Sequence, residues 1–285
     1  MTAADLWPAR LERFESVGST NDIVDAWLAE GAAEVCVAVA HEQAAGRGRN
    51  GRTWTAPRDA ALLCSLGFRP VFADPAQLWQ WAAIVSLAMA DAVESVAGAA
   101  TGTVRLKWPN DLVVAEDGHV RKLAGVLGET AGAGTEDQRV VVGIGVNAGW
   151  RRADFPPDLA DSMTSVAELA RATGAVPEAR AAAAFAAATP AALRDALLAA
   201  FLDDLRPRVA DLRSTRFPGA EWRDRQLTNG ELVRLERPDG STETVRAIDV
   251  DADSGALVVG SLSGEWPARL VTVGEIRHLR LGSAA

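Results

Sequence analysis

Residues 46–54 read GRGRNGRTW, and Pro57 follows three positions later. Gly46, Gly48 and Gly51 have the G-x-G-x-x-G spacing of a dinucleotide-binding turn. Gly46, Gly51, Arg52 and Thr53 come within one residue of a Walker phosphate loop, with Arg in place of its Lys. Both motifs require a helix directly after the glycines, because the phosphate sits on that helix's first amides. Pro57 leaves no room for such a helix, so the stretch is neither motif. A second near-match, GIGVNA at 143–148, runs into GWRRADFPPD and fails on the same ground. What remains is a polar loop whose glycines permit close approach. Arg47, Arg49 and Arg52 offer forked donors to phosphate or carboxylate oxygens, and Trp54 offers a flat apolar face. With so little apolar area the loop is expected to order only around an anionic ligand. Composition alone fits a solvated RG-rich loop with a core Trp equally well.

The segments flanking this loop alternate strands and helices. GSTNDIVDAWLAEG predicts a short amphipathic helix ending at Gly31, with Ser19 and Asp22 spaced as a capping box. EVCVAVA and ALLCSLGFR read as buried strands, and Asp74–Pro75 opens a helix reaching about Val96. TVRLKW, LVVA, RKLAGVLGET and RVVVGIGVN read as further strands, with turns at PND, at EDGH and in the Gly-rich AGAGTEDQ. From Ser162 to about Arg213 the pattern is helical, interrupted at Pro177 and Pro190, with a second capping box at Ser165/Glu168 and an Ala run at 181–188. From about Gln226 the chain changes to short strands (ELVRLER, ETVRAIDV, ALVVGSL, ARLVTV) divided by PDG and DSG turns, which predicts a small β-barrel.

The net charge of −9 opposes general nucleic-acid binding, which needs basic surface. Cys36 and Cys64 lie in apolar runs and read as buried hydrophobes of a reducing compartment. No signal peptide or membrane-spanning run is visible, so a cytoplasmic protein is expected. His41 reads as a local hydrogen-bonding residue, and His119 and His278 as turn and surface positions. Of 29 basic residues 27 are Arg; the two lysines are Lys107 and Lys122. In a chain biased toward Ala and Arg, a retained Lys marks a place where a compact point charge is needed.

Taken in order, GSTN at 18–21, GRGRNGRTW, KWPND at 107–111, KLAGVLGE at 122–129 and GIGVN at 143–147 resemble the motifs of biotin protein ligases. The resemblance runs from about residue 14 to 147 and includes both lysines. It implies an α+β fold, a mixed sheet of the class II aminoacyl-tRNA synthetase and biotin-ligase kind flanked by helices. That catalytic domain covers 1–222, with an SH3-like C-terminal β-barrel over 223–285. It implies an enzyme that activates biotin with ATP to biotinyl-5′-AMP and transfers biotin to one lysine of a carrier domain of acyl-CoA carboxylases. Because two anions must react, positive charge and positioning are the main requirements.

By this resemblance Ser19, Thr20, Asn21, Gln43, Arg47, Gly48, Arg49, Lys122 and Gly125 hold biotin. Arg49, Arg52, Trp54, Lys107, Asn110, Asp111 and Asn147 hold ATP and the adenylate, and Lys122, Arg49 and Lys107 carry the chemistry. Trp54 shelves the adenine, Asn147 reads its edge and Asp111 contacts Mg²⁺. GSTN begins at residue 18, leaving no room for a helix-turn-helix domain, so no DNA binding is expected. The family admits a monomer or a weak homodimer.

Two other readings stay open on residues alone. A lipoate ligase shares the architecture and the adenylation chemistry. A non-enzymatic module would bind RNA through the RG loop and a partner through the barrel. The spelling of the two basic motifs favours biotin, and the acidic net charge opposes RNA.

Overall fold

The computed structural model describes residues 7–70, 73–116, 118–173, 190–264 and 266–278. Seven strands form one mixed sheet in the order β1-β2-β3-β7-β6-β5-β4. They are β1 (Arg10–Phe14), β2 (Cys36–Ala40), β3 (Ala61–Phe68), β4 (Val104–Lys107), β5 (Asp111–Glu116), β6 (His119–Ala131) and β7 (Arg139–Asn147). β1 and β2 run parallel, and every other pairing is antiparallel. β1 is an addition to the expected elements: RLERF sets three charged residues among two apolar ones, as suits an edge strand, and carries no long apolar run.

Side-chain alternation divides this sheet into two faces. Val37 and Val39 of β2, Leu62, Leu66 and Phe68 of β3, and Val140, Val142, Ile144 and Val146 of β7 face the main core. There they meet α2 (Trp79–Ala97), α3 (Val166–Ala172) and α4 (Pro190–Arg213). α2 is apolar on nearly every side and ends at Gly98, whose φ of 63° suits glycine. α4 is described from Pro190 onward. The expected interruption at Pro177 and the Ala run at 181–188 lie outside the described residues.

The opposite face is only partly covered. α1 (Thr20–Ala29) buries Val24, Trp27 and Leu28, an i, i+3, i+4 stripe, against Cys36, Ala38 and Val141. Beyond its reach β3, β6 and β7 present Ser65, Gly125, Glu129, Gly143 and Gly145, and a hollow forms there. Both cysteines are free and buried, and burial pushes the Cys64 thiol up to about 12, as fits inert packing.

The C-terminal strands make a second, antiparallel sheet in the order β11-β10-β9-β8-β12. These are β8 (Leu232–Glu236), β9 (Thr242–Val250), β10 (Leu257–Gly260), β11 (Arg269–Val271) and β12 (Glu275–His278). β12 was not expected from sequence, because EIRH offers a single apolar residue. The short helix α5 (Gly219–Asp224) leads into this sheet. Immediately after it, Leu106 of β4 exchanges backbone hydrogen bonds with Arg225 and Leu227, so the C-terminal segment covers the edge of the large sheet.

Candidate active site

The hollow is a cavity of about 410 Å³. Its floor exists because GIGVN alternates: Ile144 and Val146 point into the core, while Gly143 and Gly145 leave their side of β7 bare. A Cβ at Gly145 would stand 2.6 Å from Cε2 of Trp54, and one at Gly143 would overlap Asn21. The second near-match to a nucleotide motif is thus a strand that lets an indole and an amide lie flat on the sheet. Every residue expected at the site lines this cavity except Lys107 and Asn147.

One wall is a chain of polar contacts from the start of α1. The Thr20 N–H donates to Gln43 Oε1 at 2.7 Å, and the Thr20 and Ser65 hydroxyls lie 2.6 Å apart. Ser65 Oγ donates to Asn21 Oδ1 at 2.6 Å, and Asn21 Nδ2 donates to Glu129 Oε2 at 2.7 Å. Each hydroxyl has one proton: Ser65 gives its own to Asn21, and the Thr20 proton lies between Ser65 Oγ and Gln43 Oε1, the latter 3.0 Å away. Gln43 is then an acceptor on its oxygen, leaving Nε2 as the donor. Ser19 occupies the N-cap of α1 but makes no side-chain cap bond, and Asp22 chelates Arg47 instead, so the expected capping box is absent. The one at Ser165 is half formed: its hydroxyl accepts from the Glu168 N–H at 3.1 Å, while the Glu168 carboxylate pairs with Arg171.

The arginine loop has more structure than its composition suggests. Arg47 and Thr53 pair as an antiparallel bridge, Gly48 N–H donates to Arg52 C=O, and Trp54 N–H donates to Gly46 C=O. Its tip is a short 3₁₀ turn at Arg49–Gly51, where Asn50 adopts a φ of 55° and Gly51 one of 71°. Outside anchors supplement these bonds. Arg47 binds Asp22 at 2.7 and 3.0 Å and reaches Glu129 at 3.3 Å, and those carboxylates raise its pKa. Arg49, Asn50 and Arg52 converge on Glu275 of β12 at 3.3–3.5 Å. Carboxylates from three separate elements thus hold the loop, which is why it needs no apolar anchor of its own.

At the far end Lys122 Nζ lies 2.7 Å from Asp111 Oδ1 and 5.4 Å from the Trp54 ring centroid. A bulge near Leu112–Val113 shifts the β5–β6 register, and residues 162–164 bond the Lys122 backbone where β7 ends. Asn147 is buried with its amide on Thr164 C=O at 3.1 Å, so it supports that segment rather than facing the cavity. Asn110 is likewise engaged, donating to Val126 C=O at 2.7 Å. Lys107, opposite Asp111 in the β4–β5 hairpin, lines an adjoining cavity of about 450 Å³ that shares Arg49, Asn110 and Asp111 with the first. Burial lowers the Lys107 pKa and the Lys122 charge lowers it further, while Asp111 opposes both.

His278, expected at the surface, is half-buried beside Lys107, and burial lowers its pKa to about 4. No group of three His, Cys, Asp or Glu fit to hold a metal occurs among the described residues. Ser65, Glu129 and Glu275 were missed. The one signal for Ser65 is its being the lone polar residue in an otherwise apolar strand; the other two are remote in sequence from the loop they hold.

Residues 14–147 match the model of the biotin/lipoate A/B protein ligase family. The biotin–[acetyl-CoA-carboxylase] ligase of Mycobacterium tuberculosis is 33% identical over 274 residues, 95% of this chain and 90% of that protein. The bifunctional ligase/repressor BirA of Escherichia coli is 35% identical over 116 residues, 41% of this chain and 34% of that one. Among solved structures, biotin protein ligase from Aquifex aeolicus in complex with biotin and ATP has a TM-score of 0.69 at 23% identity, covering 95% of this chain and 99% of that one. The biotin protein ligase of Leishmania major in complex with biotinyl-5-AMP has a TM-score of 0.53 at 22% identity, covering 93% of this chain and all of that one, and shares the fold.

Proposed function

Because the chain belongs to the biotin/lipoate A/B protein ligase family, we propose that it activates biotin with ATP to biotinyl-5′-AMP and transfers biotin to a lysine of a biotin carboxyl carrier domain. The observation that carries this reading is the single cavity where a polar wall (Thr20, Asn21, Gln43) faces a cationic end (Lys122, Arg49). Biotin has the matching polarity, a ureido ring at one end and a carboxylate at the other. The ring goes to the wall, where the Gln43 Nε2 donor meets the ureido oxygen. The carboxylate goes to Lys122, whose ammonium withdraws charge from the carboxyl oxygen in both half-reactions.

Attack by that carboxylate on the α-phosphate forms one P–O bond and breaks another, releasing pyrophosphate. Arg49 and Lys107 offset the charge that accumulates, and Arg49 retains the adenylate by exchanging Glu275 for phosphate. Arg52 assists at the loop tip, and Trp54, flat over Gly145 and Gly125, forms the apolar shelf. Asn110, Gly48 and Asn147 shape the site from behind. Mg²⁺ arrives as the counter-ion of ATP. The protein carboxylate available to it is Asp111, which fits a metal only together with substrate phosphates, since it otherwise pairs with Lys122. In the second step the acceptor amine attacks the acyl carbon, AMP leaves with the bonding pair, and an amide forms. We extend the reading to an enzyme that works as monomer or weak dimer without DNA or membrane; among the described residues no helix is long and apolar enough to cross a bilayer.

The test is exchange of labelled pyrophosphate into ATP. Biotin-dependent exchange, lost in Lys122→Ala and absent with lipoate, is the expected result. Exchange driven by lipoate alone would move the protein to the sister activity, and exchange with neither would refute adenylation.

A further inference from the structure

The C-terminal sheet points Val233 and Leu235 of β8 and Val245 and Ala247 of β9 inward, so Arg234, Thr244, Arg246 and Ile248 point out. Arg277 of β12 stands directly opposite Arg234, and Arg246 lies one pleat along from Thr244, the residue facing Arg234 on its other side. Three exposed arginines therefore share one face. Like charges in direct opposition cost stability.

The rest of the chain treats arginine differently. Among the described residues five arginines hold no carboxylate: Arg105, Arg206, Arg234, Arg246 and Arg277. Arg105 gives its guanidinium to the carbonyls of residues 224–226 and Arg246 gives one N–H to Gly230 C=O at 3.0 Å, and three of the five, Arg234, Arg246 and Arg277, gather on this face of a chain with net charge −9. Beside them Ile248 is 46% exposed, and Leu270 on the edge strand β11 is 55% exposed. The arginines occupy the β12-β8-β9 side of the face and the exposed apolar residues its β9-to-β11 side, and apolar surface bordered by charge free of carboxylates is how a protein-docking surface is composed.

The face also adjoins the cavity. Glu275, the carboxylate on which the arginine loop converges, precedes Arg277 by two residues on the same strand and shares its side. A partner seated on Arg234, Arg246 and Arg277 is thus placed to present a side chain near Arg49 and Asp111.

We propose that this face docks the protein bearing the acceptor lysine, and that it recognises a carboxylate-rich surface of that protein; the proposal rests on the ligase reading above. The open face of a sheet suits a protein rather than a small molecule. Three arginines release too few counter-ions to hold a long polyanion against the protein's own negative field, but they orient a compact acidic domain.

The test uses the full chain with Arg234→Glu and Arg246→Glu combined, two positions away from the cavity lining. The wild type should label the carrier domain of an acetyl-CoA carboxylase with kcat/KM falling as salt rises. In the variant kcat/KM for that carrier should drop about tenfold or more and lose most of its salt dependence. Biotin-dependent pyrophosphate exchange, and biotin transfer to hydroxylamine as a small nucleophile, should stay within about twofold. Paired alanines should give an intermediate loss. Unchanged carrier kinetics would overturn the proposal, as would an equal loss in pyrophosphate exchange. So would unchanged carrier kinetics accompanied by lost retention of single-stranded RNA. A wild type without biotin-dependent exchange would instead refute the ligase reading, and the docking proposal with it.

Discussion

Ser65 has no accessible surface, yet it sets the hydrogen-bonding directions of the whole polar wall. Removing its hydroxyl leaves Asn21 Oδ1 without its partner inside the fold, while Thr20 Oγ1 keeps Gln43 Oε1. An unpaired buried polar group costs about 1–3 kcal/mol. Ser65→Ala is therefore expected to weaken biotin binding about tenfold or more, read by calorimetry, with little change in the rate at saturating biotin. A change in that rate with biotin affinity intact would show that Ser65 serves the chemistry instead. His278 gives a second prediction at this scale. Its folded pKa of about 4 lies below its ordinary 6.5, so the unfolded chain binds the extra proton between those values. Stability is then lost as pH falls from 6.5 toward 4, and His278→Gln should flatten that part of the Tm–pH curve. Most site residues were legible because they fall in contiguous motifs. Glu129 closes one of those motifs, but its contact with Arg47 and that of Glu275 with Arg49 are made only by folding, and His278 was misread because it is buried beside Lys107 of the other sheet.

Elements declared themselves in proportion to their burial. β2 and β3 are apolar runs buried along their whole length, β7 is apolar on its core face, and α2 is apolar almost all round, so composition alone found them. β1 and β12 are short edge strands rich in charge, and no local pattern separates such a segment from a loop. The contacts of the arginine loop were hard to read for a related reason: its own hairpin bonds are joined by carboxylates on α1, β6 and β12 that are remote in sequence. Glu275→Gln should leave the fold and Tm nearly unchanged but release Arg49 and Arg52, making the loop more open to trypsin after Arg49 and Arg52. Unaltered cleavage would mean that the loop's own hairpin bonds suffice. Gly145→Ala tests the floor, because the added methyl must displace Trp54. Loss of ATP-dependent turnover with the fold retained is expected, and full activity would place the working position of the indole elsewhere.

At the scale of the molecule, a charge network ties α2 and α4 to the segment that leads into the second sheet. Arg225 is buried, donating to Glu94 at 2.8 Å and to Val104 C=O at 2.9 Å, and it pairs with Asp91, which Arg208 also holds. Breaking such a buried pair from one side costs about 3–5 kcal/mol. Arg225→Met should lower Tm by several degrees, whereas an unchanged Tm would show that the network is solvated. We propose that the division between a catalytic unit and a barrel lies near residues 222 and 223, within α5. A chain ending there loses Arg225 and uncovers the edge of β4, so it is expected to aggregate despite containing nearly all of the cavity. The account as a whole claims that both sheets together form a biotin ligase. Intact mass spectrometry of a biotin carrier domain, after incubation with this protein, ATP, Mg²⁺ and either biotin or lipoate, tests that claim most directly. A single biotin-sized increase on one lysine, absent with lipoate, is the predicted result; a carrier left unmodified by biotin while the protein is folded would contradict it.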